Sequence, residues 1–595
     1  MRLPYVKNIS SPAKKYTVRF CGINKSNIFE DGELEDLENL SMTNFPYLTV
    51  RKPYNWGFIS TESGKKLNKI WGDGSLFAAV EVDEINSPYI SKIKVRNYNE
   101  NAVDIPDLEA IGGFDELGLK NVDFVRINNK LTVFTDDSSG LNSSNLLAPY
   151  TINLDPDLVD RDPELTEYAW ESTTCIMWGS ATTLPNRLIL HEPQVLGGRG
   201  GIPNFLEGDT VAVYWAQGTD GDGNIIWGNS PDLYGVLSSR STSIINGITE
   251  FGFTTDLFGT SSAPQDSRAK VEKVTPDGLC FPMGINNRIW AVKGNSIFAS
   301  ALGEPSRWES FEGLASDSYQ VSVDSSGNFT GVSVFDNNPV FFKENTVYRL
   351  YGTIPSNFSL QKIDAPGVMQ GCSKSIQKIN EVLYYKGKSG VYRYSGGIPE
   401  CISEKLGDLS DYGKAVAGAD ERYYYLAMSK KGEDFADKKP LYIYDTKTGV
   451  WLKDSADTFT SFALWGNVLY MKYSSSYVAS RELDSEKGLT VSGENGNVNW
   501  YAEFKPFTET VKEKKVYSRL YFRLELDEGS YVTVFVKYDN EPFKEVKTVK
   551  SDFEKGVVTV PVILKKCDSF AVRFEGRNGC TVKTLLREYR TAGDR

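Results

Sequence analysis

The stretch NEVLYYKGKSGVYRYSGG, residues 380–397, decides how the chain is read. Two short runs rich in Val, Leu and Tyr flank a Lys-Gly-Lys-Ser-Gly turn, and Ser-Gly-Gly closes the unit. Over 379–385, simple alternation puts Ile379, Glu381 and Leu383 on one face and Asn380, Val382 and Tyr384 on the other. Both faces carry apolar residues, as a sheet covered on each side requires.

The pattern recurs: a short apolar strand, a turn, and a second strand ending in an aromatic. It is found at RINNKLTVFTDD (126–137), NNRIWAVKGNSIFASALG (286–303) and NNPVFFKENTVYRLYG (337–352). It returns at 423–454 and at ALWGNVLYMKYSSSYVAS (463–480), with a weaker copy at KIWGDGSLFAAVEVDE (69–84). Period-2 strands joined by Gly, Asn and Asp turns at roughly 40–50-residue spacing predict propeller blades; a barrel or stacked sandwiches fit the same pattern.

Residues 141–280 break this rhythm and read as an inserted small β domain. From about residue 496 the alternation becomes cleaner. In VYSRLYFRLEL (516–526), Val516, Leu520, Phe522, Leu524 and Leu526 share one face, with Arg519, Tyr521, Arg523 and Glu525 on the other. One polar face indicates an antiparallel sandwich. The expected organisation is mainly β. An N-terminal arm covers 1–60, a β-propeller-like body 61–140 and 281–495, the insertion 141–280, and a C-terminal antiparallel β-sandwich 496–595.

The arm contains EDGELEDLENL (30–40). Leu34, Leu37 and Leu40 at three-residue steps predict a short amphipathic helix. Asp31 would cap it, Glu33, Glu35 and Asp36 would sit in its first turns, and the carboxylates would face mostly water.

The chain has 595 residues, 32 Tyr, 31 Phe, 11 Trp and 52 Gly, a mix that favours pleated sheets and tight turns. Its net charge of −12 argues against a general phosphate-binding surface, which needs clustered Lys and Arg. Seven widely spaced cysteines (21, 175, 280, 372, 401, 567 and 580) include no CxxC pair, so zinc and a disulfide scaffold are not expected. The opening MRLPYVKNISSPAKKYTVRF lacks an apolar h-region, predicting no signal peptide, and no apolar stretch reaches membrane-spanning length.

Chemistry-bearing motifs are weak. His191 is the single histidine and no GxSxG accompanies it, so a triad is not expected. STESGKK (60–66) and GGRGG (197–201) fail the phosphate-loop pattern. Asp155, Asp157, Asp160 and Asp162 lack the turn glycine of a calcium loop. SVDSSGNFTG (322–331) and YDTKTGVW (444–451) read as turns: Asp445 bonds its own backbone, Gly449 takes positive φ and Trp451 packs into the next sheet. No catalytic, cofactor-binding or metal residue is predicted, and the chain is expected not to be an enzyme.

Three blocks carry a resemblance. They are 22–53 (GINKSNIFEDGELEDLENLSMTNFPYLTVRKP), the run from NNRIWAVKGNSIFASALGEPSRW through SGVYRYSGGIPECIS, and the C-terminal block from YSRLYFRLEL to LLREY. Together they resemble a family of tailed-phage and prophage virion proteins common in Firmicutes. More distantly, they resemble the propeller-bearing tail nozzle, or stabilisation, proteins of short-tailed phages. The resemblance implies a non-enzymatic homo-oligomeric ring, often sixfold, assembled in a bacterial cytoplasm beneath portal and adaptor. It would hold fibres and continue a DNA channel without binding DNA specifically. An acidic lumen would repel DNA. A receptor- or carbohydrate-binding tail protein is the second expectation and a propeller depolymerase the third.

Overall fold

A computed structural model describes most of residues 12–59, 63–83, 90–97, 109–111, 122–135, 150–153, 279–305, 313–473, 477–481, 497–507, 513–550 and 555–592, with Thr61, Gly221, Trp308, Phe311, Glu509 and the strands between 172 and 273. Among the described residues there are many strands, three one-turn 3-10 helices and no α-helix. None of its helices is long and apolar enough to cross a membrane.

Left-handed two-residue turns generate the repeats. Asn286-Asn287 has φ of 51° and 58°, Asp336-Asn337 of 46° and 56°, Asn380-Glu381 of 48° and 63°, and Gly466-Asn467 of 55° and 64°. Positive φ at both central residues is the type I′ geometry, whose twist matches that of the flanking strands. Asn and Asp adopt it at low cost because their short side chains bond locally. The run 379–385 is therefore a hairpin rather than one strand. Gln377–Ile379 and Val382–Lys386 pair with Ile379 opposite Val382, and Asn380 and Glu381 form the exposed turn.

Each quoted repeat falls in its own antiparallel set of strands. Blade 1 covers 65–111, blade 2 122–153, blade 3 280–322, blade 4 331–364, blade 5 377–401 and blade 6 412–457. Blade 7 takes three strands from 462–480 and its fourth, Asn55–Phe58, from the start of the chain. The innermost strand of blade 7 also pairs in parallel with that of blade 1, Leu464 opposite Asp73. Closure through an early strand covers an edge that would otherwise template pairing with another chain. The described sheets thus form a seven-bladed β-propeller.

Apolar contacts run continuously around the ring. Val80 and Val95 of blade 1 cluster with Phe124 and Val133 of blade 2. Ile127 and Phe134 of blade 2 meet Ile289 and Phe298 of blade 3. Trp290 of blade 3 packs on Phe341 of blade 4 with ring centroids 5.9 Å apart, and Phe342 of blade 4 on Tyr385 of blade 5 at 5.0 Å. Phe77 of blade 1 meets Trp465 and Tyr470 of blade 7, both at 6.1 Å. Apolar residues on both faces of each blade are thereby buried, and this is why the repeats lack a polar face.

A separate seven-stranded sheet built from strands between 172 and 273 interrupts the ring after blade 2. The strand Tyr150–Asn153, inside the range expected for the insertion, pairs with Lys130–Thr135 and belongs to blade 2.

The C-terminal sandwich is completed by the N-terminal arm. Ala13–Thr17 and Leu48–Val50 pair with Cys580–Ala592 in one sheet, and Leu34–Glu38 pairs with Asn499–Phe504 in the other. Val532, Val534, Val536, Leu520, Phe522, Leu524 and Phe574 fill the space between. A bulge between Tyr517 and Arg519 shifts the phase of Lys514–Leu526, so Tyr517, rather than Val516, is fully buried.

The helix expected over the acidic run is a strand, Leu34–Glu38. A bulge between Leu34 and Asp36 inserts one residue, and Asn39 turns the chain with φ of 62°. Those two irregularities put Leu34, Leu37 and Leu40 on one side at three-residue spacing, and all three are buried. Bulged strand and helix share this short spacing; the edge at Asn499–Phe504, more than 450 residues away, selects the strand.

Candidate functional site

The innermost strands of all seven blades converge on a central channel of about 240 Å³. Trp71, Phe124, Phe281 and Phe462 narrow it. Gln377 donates to the Ala417 carbonyl at 2.8 Å and Ser461 accepts from the Ile70 amide at 3.0 Å, tying neighbouring blades across it.

Its charged centre is Asp123. Lys69 of blade 1 forms an ion pair with Asp123 of blade 2 and also donates to the Val122 carbonyl. Lys374, beside blade 5, approaches the same carboxylate oxygen at 3.6 Å. Burial alone would raise the carboxyl; the two ammonium groups outweigh it and hold Asp123 down at about 2. A carboxylate so held stays ionised at neutral pH and is a poor proton donor. Two-carboxylate glycoside hydrolysis needs a second acid, and Asp123 is the one carboxylate among the described lining residues. The sequence signal for this triad is slight: Asp123 lies just upstream of a hairpin repeat, and its lysines lie 54 and 251 residues away along the chain.

A second cavity of about 390 Å³ lies at the joint between arm, blade 6 and blade 7. Behind it, fully buried Asp454 accepts from Tyr54 Oη at 2.6 Å and pairs with Arg51 at 3.4 Å and Arg481 at 3.2 Å. Arg51 also stacks on Tyr54, 4.0 Å from the ring centroid, and Arg481 donates to the Leu40 carbonyl at 2.7 Å. Burial, and then Asp454, push the Tyr54 hydroxyl well above its ordinary pKa. The cluster links three segments of the fold.

The acidic run is a clamp: four of its six carboxylates meet cations, although Glu30 and Asp31 stay exposed. Asp31 pairs with Arg587 at 2.9 Å and with Lys15 at 3.0 Å. Glu33 takes Lys405 at 2.7 Å, Asn24 at 2.7 Å and the Glu30 amide at 2.8 Å. Glu35 pairs with Lys505, and Asp36 with Lys453 at 2.7 Å. Lys405 and Lys453 belong to the propeller, whereas Lys505 and Arg587 belong to the sandwich. The carboxylates diverge toward separate cations, so they do not converge on a metal. Among the described residues, no group of three His, Cys, Asp or Glu is placed to hold one.

His191 ends the strand Leu184–His191. Asp155, Asp157, Asp160, Asp162 and the GGRGG run lie outside the described residues. Lys65 and Lys66 enter a strand rather than the helix a phosphate loop requires. Asp445 accepts from the Lys447 amide at 3.0 Å, Gly449 has φ of 71°, and buried Trp451 packs 5.0 Å from Tyr444. No disulfide joins the six described cysteines; Cys280 and Cys401 are exposed, while Cys372, Cys567 and Cys580 are buried. Burial lifts the Cys372 and Cys567 thiols to about 11.

No protein-family model matches the chain, and no curated protein matches its sequence. Among solved structures it is similar to an exo-β-1,3-galactanase from Phanerochaete chrysosporium, at 10% identity and a TM-score of 0.22, over 53% of this chain and 96% of that one. A puromycin hydrolase matches at 10% identity and a TM-score of 0.26, over 67% and 56% of the two chains. A Saccharomyces cerevisiae complex of Dbp5, Nup159 and Gle1 matches at 10% identity and 0.21, over 72% and 95%. Scores this low carry no functional argument. The class defined by the described sheets is a mainly-β chain with a propeller body and a sandwich.

Proposed function

We propose that this chain is a structural, non-enzymatic subunit of a bacteriophage tail, a ring-forming protein of the nozzle or hub type that anchors neighbouring tail proteins. The three-block sequence resemblance carries the reading. The first block forms the clamp between propeller and sandwich, the second spans blades 3 to 5, and the third builds the sandwich. The blocks therefore coincide with the frame of the fold and its joint.

Two physical features support a structural role. The channel's one described carboxylate is engaged by two lysines. The arm is tied to the propeller by the buried pair Arg51–Asp454 and by Glu33–Lys405 and Asp36–Lys453, and to the sandwich by Asp31–Arg587. DNA in this reading passes through the lumen of a ring of copies, outside any single propeller, and a negative lumen wall keeps it from sticking.

The test is cryo-electron microscopy of intact particles from a lysate containing this gene product. The expected result is a closed ring of this chain below the portal. A particle without it, or with single copies at fibre tips, refutes the reading; fibre-tip copies together with glycan binding support a receptor-binding role instead. A lumen lined by Lys and Arg refutes the repulsion argument.

A further inference from the structure

The two sheets of the sandwich end in edge strands of opposite character. Lys544–Lys550 sets Lys544, Lys547 and Lys550 along its exposed edge. Lysines so placed oppose the addition of another strand. Lys555–Pro561 ends the other sheet and pairs, among the described residues, only with Lys514–Leu526. On its outer edge the Thr559 carbonyl meets Lys547 Nζ at 3.4 Å. Apolar side chains face solvent here: Val557 is 56% exposed, and just beyond the strand Ile563 is 68% and Leu564 70% exposed. Arg523 lies opposite Val557 and Arg519 opposite Pro561, both exposed, with exposed Lys566 beyond. An apolar strip on a strand edge is thus flanked by cations.

Charge is divided unevenly along the chain. Residues 496–595 hold 19 Lys and Arg against 15 Asp and Glu, a net +4, whereas the total is −12; residues 1–495 therefore carry −16.

We propose that the edge strand Lys555–Pro561, with Ile563 and Leu564, is the surface by which one copy docks head to tail on the acidic remainder of a second copy. The proposal rests on the ring reading and assigns its contact. Self-pairing of this edge about a twofold axis would bring Arg519, Arg523 and Lys566 close to their own counterparts, and like charges across an interface are penalised. Docking against the −16 portion of a neighbour removes that penalty. A contact between unlike surfaces repeats and closes into a ring when its rotation permits. Backbone groups along the edge supply hydrogen bonds, and Val557, Ile563 and Leu564 supply the apolar centre.

The test is sedimentation velocity of the full chain at low and high salt. It uses wild type, an Ile563→Lys/Leu564→Lys variant and an Arg519→Glu/Arg523→Glu variant. All four positions are exposed, and unchanged circular-dichroism melting verifies folding. Wild type is expected to associate at low salt and to weaken as salt rises. Each variant is expected to weaken association by roughly tenfold or more, the scale of a lost anchor. Cross-linking of isotopically mixed copies is expected to join sandwich to propeller between chains. A monomeric wild type at low salt, variants that associate as wild type does, or inter-chain cross-links confined to sandwich–sandwich pairs each overturn the proposal. A particle ring whose contacts leave residues 555–566 bare overturns this surface while the ring reading stands. Absence of the chain from particles removes the ring reading and leaves the sedimentation result as it is.

Discussion

Arg587→Met removes the centre of the sandwich's buried charge cluster. The Arg587 side chain is fully buried and pairs with Glu509, which is 1% exposed. It also donates to Thr17 Oγ1 at 2.8 Å, pairs with Asp31 at 2.9 Å and stacks 4.0 Å from the Phe507 ring centroid. The pairs to Asp31, 34% exposed, and through Lys15, 46% exposed, are solvent-screened and worth at most ~1 kcal/mol each. The magnitude therefore comes from Glu509, left buried with only Lys15 at 3.4 Å. Stranding one partner of a buried pair costs ~3–5 kcal/mol. Arg587→Met/Glu509→Leu removes both charges and is expected to recover most of that loss. The assay is urea titration read by hydrogen exchange in the strands Lys514–Leu526 and Cys580–Ala592, because a chain with several domains does not unfold in one step. A single variant within ~0.5 kcal/mol of wild type, or a double variant no better than the single, would refute the claim that this buried pair stabilises the sandwich.

Other substitutions test the joint and the turns. Glu33→Gln, which weakens the bond to Lys405 at 2.7 Å, is expected to destabilise the arm by ~1–3 kcal/mol, seen as faster exchange at Leu34–Glu38. Gly22→Ala, at φ of 74° and with its new Cβ 2.6 Å from the Trp451 carbonyl, is expected to cost ~1–3 kcal/mol in the same measurement. Glu381→Gly, at an exposed turn position with φ of 63°, is expected to raise stability by ~0.5–1 kcal/mol in thermal unfolding. Acid stability follows from carboxylates that folding keeps below their ordinary range: Asp31, Glu33, Asp445 and Asp123 at about 2. For each, burial opposes the shift and bonds to Lys, Arg or backbone N–H groups outweigh it. Their contribution is complete above the unfolded-state pKa and is lost as pH falls through the folded one. Glu38, Asp457 and Glu503, raised by burial, act in the opposite sense. The melting temperature is therefore expected to fall most steeply between about pH 4 and pH 2; a flat profile across that window would sink the assignment.

Local chemistry determined the units of this fold. The strand–turn–strand repeats, the turns at Asp445 and Gly449, and the polar outer face of 519–525 follow from pair periodicity and turn geometry, which act over a few residues. The dipeptides Asn286-Asn287 and Asp336-Asn337 even mark where hairpins turn, because they tolerate positive φ. Tertiary structure alone decided what required distant partners. Asn55–Phe58 completes a blade whose other strands come 400 residues later, and Lys69, Asp123 and Lys374 meet because a ring brings inner strands together. The acidic run shows the boundary most plainly. Leucines three apart suit a helix or a bulged strand equally within eleven residues, and six carboxylates suit water or counter-ions equally. The edge at Asn499–Phe504 selected the strand, and Lys405, Lys453, Lys505 and Arg587 turned its charges into a clamp. Periodicity reports the neighbours a residue has along the chain; pairing energy comes from neighbours that only the folded chain supplies.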